Sequence, residues 1–405
     1  MKMLYLYIGG GLAHSSVQSK LEAKISRFNS SGIETKGLFL SYAVDKRTRV
    51  DEYIDLLPLK RVANKYFTAV HQRKANAQAV SYIIEQVQAD YDVIYFRYPG
   101  ASAHLIPILK KYGHKMLFEH NSKELEELKL HGKSIPFGLR PSTFIPWLQD
   151  KKWRIAHEAR YARPMLNAMH MGLAVTNDMA DYEIERSGGS YNCIGNSNGV
   201  DVQKVPLRKA PKYDGKELRM IFMRGANTNA PYHGVDRLLH GLKNYTGPLK
   251  LTLYLVGAKF DQEKEWLAKN GLSDEVEFTG KLTGDDLSAL FDTCHVSFGS
   301  LGLHRIKMWE GSVLKVNESL ARGIPVVVAH KDMELFYNKE FEPYHLLCPA
   351  DESAIDLSQV GALAERVYAD PAHPEKIRSL ALRIVDYSVK IKRAAEIIKK
   401  EFGFS

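Results

Sequence analysis

Cysteine is scarce in this 405-residue chain, which holds only Cys193, Cys294 and Cys348. Their wide separation excludes the knuckle spacing of structural metal sites and argues against a disulfide framework, so a reducing compartment is expected. Also missing is any run of about 18 uncharged apolar residues, which a bilayer-spanning helix would need. The N-terminal segment MKMLYLYIGGGLAHSS has a short apolar run that tyrosines interrupt and glycines close, with no small-residue cleavage site. It reads as a first strand and not as a secretory signal. No solenoid or propeller repeat and no low-complexity run occurs. These absences lead to the expectation of a cytoplasmic protein, soluble or peripheral at the inner face of the cell membrane.

What the chain does have is length, charge and alternation. Its 405 residues exceed what one hydrophobic core usually serves, so two domains are expected. Hydrophobic residues at 45% and charged residues at 25% fit ordinary globular packing. The net charge of +9 is uneven: residues 1–205 carry 28 Lys and Arg against 20 Asp and Glu, the remainder 28 against 27. An anionic partner for the first half is expected, and no motif for nucleic acid supports that kind of partner.

Apolar strands at Met3–Ile8, Thr35–Leu40, Val93–Phe96, Lys115–Glu119, Gly172–Thr176 and Tyr191–Ile194 alternate with helical spacing. After Arg208–Leu218, rich in Lys and Pro, the pattern restarts with Met220–Met223, Leu251–Val256, Glu275–Phe278, His295–Phe298, Pro325–Ala329 and His345–Leu347. Two α/β domains with doubly wound parallel sheets follow, 1–207 and 208–387, with 388–405 as a C-terminal helix packing back at the junction. Such sheets bind ligands outside the carboxyl ends of their strands, so a cleft between the halves is the expected site.

The richest segment is Gly302–Val328, which reads as a loop, a helix capped by Ser312 and ended at Gly323, and a strand after Pro325. A helix N-terminus presents free amides and a positive dipole end, making the backbone of Gly311, Ser312, Val313 and Leu314 a natural diphosphate cradle. Lys315 in the first turn opposes that dipole unless an anion is bound. Glu318, one turn on, is placed to accept a ribose diol, and Glu310 before the helix to reach sugar hydroxyls. The plainer reading is a surface Lys-Glu pair beside a solvated loop glutamate.

These residues resemble the retaining glycosyltransferases of family 4, which have two Rossmann-like domains in the GT-B arrangement. Glu310 and Glu318 match the family's paired-glutamate spacing, and Ser-Val-Leu-Lys-Val-Asn-Glu-Ser-Leu-Ala-Arg-Gly-Ile-Pro-Val-Val looks like its donor signature. The resemblance implies that Glu310 contacts the donor sugar, Glu318 the nucleotide ribose and Lys315 the diphosphate. Gly9-Gly10-Gly11 and Glu119-His120-Asn121 lie where the family's N-terminal motifs fall. Gly10 and Gly11 would then bring backbone close to the donor, and His120 would contact the sugar near the reacting carbon. The chain departs from the family after Met220–Met223, where His233 stands in place of a lysine and the usual arginine is out of register. Arg224 is the expected substitute on the diphosphate, with Arg305 or Lys307 as further candidates.

The resemblance implies transfer of a hexosyl group from a nucleotide-sugar, UDP-sugar favoured, to a hydroxyl of a glycan or lipid-linked glycan, with retention. The N-terminal domain would hold the acceptor. Surface polysaccharide, lipopolysaccharide or capsule assembly is the expected setting. No Asp-x-Asp metal site accompanies the signature, so no metal or other cofactor is expected. A sugar-nucleotide epimerase and a non-catalytic carbohydrate-binding protein of the same fold remain alternatives. Two basic, aromatic stretches, Lys46–Lys74 and Phe144–Arg163, suit either an anionic membrane surface or solvated helices with their apolar faces in the core.

Overall fold

The computed structural model describes residues 1–9, 16–62, 68–133, 135, 137–225 and 230–404. Two compact units emerge, Met1–Asn196 with Lys390–Ser405, and Ser197–Val389.

The first unit is built on β1 (Lys2–Gly9), β2 (Glu34–Ser41), β3 (Thr48–Arg49), β4 (Ile54–Pro58), β5 (Val93–Arg97), β6 (Met116–His120), β7 (Met171–Ala174) and β8 (Cys193–Gly195). They form one sheet in the order β3-β4-β2-β1-β5-β6-β7-β8, parallel except for the β3-β4 edge pair. Helices cover both faces, so the central strands are apolar throughout: Met3, Leu4, Tyr5 and Leu6 of β1 have no exposed surface. β1 pairs with β2 on one side and β5 on the other, which makes the carboxyl ends of β1 and β5 the topological switch point. The stretch Lys46–Lys74 is not helical at its start, because β3 and β4 occupy it before the helix Thr68–Val87 begins. Its Ile54 and Leu56 are buried residues of β4.

In the second unit β9 (Glu217–Met223), β10 (Lys250–Val256), β11 (Val276–Gly280), β12 (Val296–Phe298), β14 (Val326–Val328) and β16 (His345–Leu347) make a parallel sheet ordered β11-β10-β9-β12-β14-β16. A small parallel ladder joins β13 (Glu310–Gly311) to β15 (Lys331–Asp332). The core lies between sheet and helices, around Leu218, Phe222, Leu253, Phe298 and Val327. Here the switch point lies at the carboxyl ends of β9 and β12.

The expected boundary at 207/208 falls inside this second unit. Residues expected at the end of the first domain, and Arg208 at the start of the expected linker, are pinned to it. The Asn198 amide donates to Ser312 Oγ at 2.8 Å, Val200 bridges to Asp386, and the buried Arg208 guanidinium donates to the Gly323 and Cys294 carbonyls. The C-terminal helix Tyr387–Glu401 buries Ile391, Ala395 and Ile398, the stripe expected of it. Its Glu401 carboxylate accepts from Asn192 at 2.7 Å within the first unit.

Candidate functional site

At the end of β12 the chain runs through an irregular loop, forms β13 and enters the helix Leu314–Ala321. β13 lies directly on His330: a Cβ on Gly311 would stand 2.3 Å from the His330 ring, so only glycine fits. The helix closes at Arg322, and Gly323 takes φ +77°, a turn that favours glycine.

The helix starts differently from expectation. Its N-cap is Val313, extended and without a side-chain cap, while Ser312 Oγ and its carbonyl bind the Asn198 backbone and side-chain amides, each at 2.8 Å. Ser312 therefore latches the 197–202 segment to the site instead of satisfying the helix. As a result the amides of Val313, Leu314 and Lys315 donate no hydrogen bond among the described residues. The unpaired donors at the positive end of the helix dipole are those the diphosphate reading needs.

Lys315 extends from this turn to donate to the Met223 carbonyl at 3.1 Å, with its ammonium 4.2 Å from the centre of the Phe222 ring. The residue is half-buried, but its amine end is packed against protein. That desolvation, then the neighbouring Arg224, lowers the amine to about 7. No carboxylate pairs with it among the described residues. His233 belongs to the same basic cluster: burial, then Lys315 and Arg224, lower its imidazole to about 3, so it is neutral at ordinary pH.

Arg224 is held by its own neighbours. Its side chain is 1% exposed and donates to Glu263 at 2.6 Å and to the Ala258 and Lys259 carbonyls, with Phe260 stacked 3.8 Å away. Its charge helps lower the Lys315 amine, and the residue also borders a hollow of the second unit. Arg305 is likewise engaged, donating to Asp236 at 2.6 and 2.9 Å and to Glu352. Lys307 is exposed at φ +54°.

Glu318 accepts twice on Oε1 from Arg322, at 3.2 and 3.0 Å, which leaves Oε2 without a partner among the described residues. Glu310 is 9% exposed, and the Tyr337 hydroxyl donates to its Oε1 at 2.6 Å. Neither is a solvated surface glutamate; each is oriented by a neighbour. A hollow of about 340 Å³ is lined by Arg224, Arg305, Asp236, Glu263 and Trp266, so it adjoins the Lys315 cluster through Arg224, although Lys315 and Glu318 do not line it. Among the described residues no three His, Cys, Asp or Glu side chains gather as a metal group.

Of the first-unit candidates, Gly10 and Gly11 lie outside the described residues. His120 ends β6, as expected, but only 1% of its surface is exposed. Tyr98, Phe118 and Tyr191 surround its ring. Because the Tyr191 hydroxyl donates to the Met171 carbonyl, His120 Nε2 is the donor in their 3.1 Å contact. Burial lowers its pKa to about 3, so it stays neutral. This enclosure does not fit the sugar contact expected of His120, whose ring is packed inside the first unit.

Beside it lies a buried charge network that nothing in the sequence pattern announced. Glu158, fully buried, accepts from Arg186 at 2.6 Å, the Tyr98 hydroxyl at 2.7 Å and the Ala101 amide at 2.6 Å, with Arg73 at 3.4 Å. Its partners lie far apart in sequence, so no local spacing signals it. Arg73 also lines a hollow of about 200 Å³ at the β1/β5 switch point, with Gly9, Tyr42, Asn76, Gly100 and Ser102. Ser102 Oγ is buried there without a hydrogen-bond partner among the described residues.

Residues 219–358 match the family described as glycosyl transferases group 1. No curated protein sequence matches the chain. Solved structures align over nearly its whole length at low identity. Sucrose-phosphate synthase from Thermosynechococcus elongatus has 13% identity and a TM-score of 0.67, covering 99% of each chain. The lipopolysaccharide outer core galactosyltransferase WaaB has 13% identity and a TM-score of 0.60, covering 98% of this chain and 100% of its own. Anabaena HepE, solved with UDP-glucose, has 13% identity and a TM-score of 0.57, covering 98% and 99%. The chain thus has the two-domain GT-B fold of these solved structures, and residues 219–358 are similar to the group 1 glycosyl transferases.

Proposed function

We propose that the chain moves a hexosyl group from a UDP-sugar to a hydroxyl of a glycan or lipid-linked glycan, with retention, in the assembly of a surface polysaccharide, lipopolysaccharide or capsule. The observation that carries this reading is the pairing of the open Val313–Lys315 amides with a lysine amine that has no carboxylate beside it. A diphosphate supplies what both lack. It accepts from the amides, and its charge returns the Lys315 amine to the ammonium form.

The same contacts favour reaction. As the bond between the anomeric carbon and the diphosphate oxygen breaks, negative charge grows on that oxygen, where fixed N–H donors and an ammonium stabilise it more than the intact donor. Glu318 Oε2 receives the ribose hydroxyls, and Glu310, oriented by Tyr337, receives hydroxyls of the sugar. In this reading no divalent cation takes part. HepE, crystallised with UDP and with UDP-glucose, and the galactosyltransferase WaaB support a UDP-hexose over other donors. The acceptor hydroxyl belongs to a ligand of the first unit, in the hollow at the β1/β5 switch point, where Ser102 Oγ awaits a partner.

The test is product analysis by NMR after incubation with α-linked UDP-sugars and oligosaccharide acceptors. An α-linked product is expected. A β-linked product would refute retention, and an epimerised sugar nucleotide without transfer would replace the transferase reading with that of an epimerase.

A further inference from the structure

Residues 133–154 hold five Lys and Arg (Lys133, Arg140, Lys151, Lys152, Arg154) and one acid, Asp150. The fold places apolar side chains among these charges and leaves them uncovered. The loop at 137–140 leads into the short helix Pro141–Pro146, which passes at Pro146 into a π-helical turn, Trp147–Trp153. On this corner Phe137 is 59%, Leu139 87% and Phe144 37% exposed. Phe137 and Phe144 pack on the half-buried Trp147, with ring centres 5.0 and 6.0 Å away, so the rings form one patch fixed by mutual contact. Leu139, almost wholly free, protrudes beside it.

The charges around the patch are uncompensated. Asp150 is paired with Arg154 at 3.2 Å. Lys133, Arg140, Lys151 and Lys152 have no carboxylate partner among the described residues, and the Lys152 ammonium lies 5.3 Å over the Trp147 ring. Aromatic and aliphatic tips ringed by free cations match an anionic bilayer surface, where apolar tips enter the headgroup boundary and lysines meet lipid phosphates. A protein partner fits less well, since the core of a protein interface is depleted of charge, whereas lysines and arginines interleave these apolar side chains.

We propose that the corner Phe137–Lys152 docks the first unit on anionic phospholipid. The inference stands whether or not the donor reading holds. Phe137 and Leu139 insert; Arg140, Lys151 and Lys152 supply the charge.

The test uses the full chain in co-sedimentation with vesicles of phosphatidylglycerol and phosphatidylcholine, against phosphatidylcholine alone, at low and high salt. Binding to the anionic vesicles at low salt is expected, with loss at high salt and none to the neutral vesicles. The exposed double variants Phe137→Ser/Leu139→Ser and Lys151→Gln/Lys152→Gln should each lower partitioning roughly tenfold or more, at an unchanged melting temperature. No binding to anionic vesicles, or binding untouched by both variants, would overturn the proposal. Self-association abolished by Phe137→Ser/Leu139→Ser would also overturn it, by assigning the patch to a second copy.

Discussion

Lys315 is held where its charge is unwelcome, and that has a thermodynamic signature. Its amine sits at about 7 in the folded protein against a usual 10.5, so between those pH values the unfolded chain binds a proton that the folded chain does not. Stability therefore rises with pH across that window, and the penalty is fully present below about pH 7. Replacing Lys315 by methionine should raise the melting temperature at pH 7, with the gain shrinking as pH approaches 10. UDP should raise the melting point of the wild type and not of Lys315→Met. A variant that melts lower than the wild type at pH 7 would show that the lysine is a structural prop. Such a residue, costly to stability and suited to an absent anion, is the usual mark of a functional site. Its type and position were legible in the sequence; its burial and its contact with the Met223 carbonyl were not, because β9 lies far away along the chain.

The helix Leu314–Ala321 was legible as an element, with Gly323 closing it, but its cap was not. A serine before an apolar run reads as an N-cap, yet Ser312 is claimed by Asn198, more than a hundred residues earlier. Local spacing cannot report such a partner. Ser312→Ala leaves the Asn198 amide without its acceptor and should cost about 1–3 kcal/mol in denaturant unfolding. An unchanged midpoint would show that the latch bears no weight. Sequence spacing likewise placed most of the buried strands within two residues, began β9 three residues late, and missed β4, which lies next to the edge strand β3. It left the stretch Phe144–Arg163 open between surface and core and did not include Phe137 and Leu139, since exposure depends on what the rest of the chain fails to cover.

For the whole molecule, the alternation of strand and helix was enough to give the α/β class and the doubly wound sheets, because parallel sheets need continuous apolar strands and crossover helices. The segment at 197–207 was not assignable from composition: the Lys- and Pro-rich stretch Arg208–Leu218 put the boundary after it, while hydrogen bonds to Ser312, Asp386 and Arg378 make it part of the second unit. The account rests on one claim, that this unit binds a nucleoside diphosphate at the Lys315 turn and takes up a proton in doing so. The direct test is calorimetry of UDP binding near pH 7.5 in two buffers of different ionisation enthalpy, with EDTA present. Proton uptake on binding is predicted for the wild type, because the anion raises the Lys315 pKa from about 7, and weaker binding without uptake for Lys315→Ala. Binding that needs a divalent cation, or that is equally tight and proton-neutral in both proteins, would contradict it.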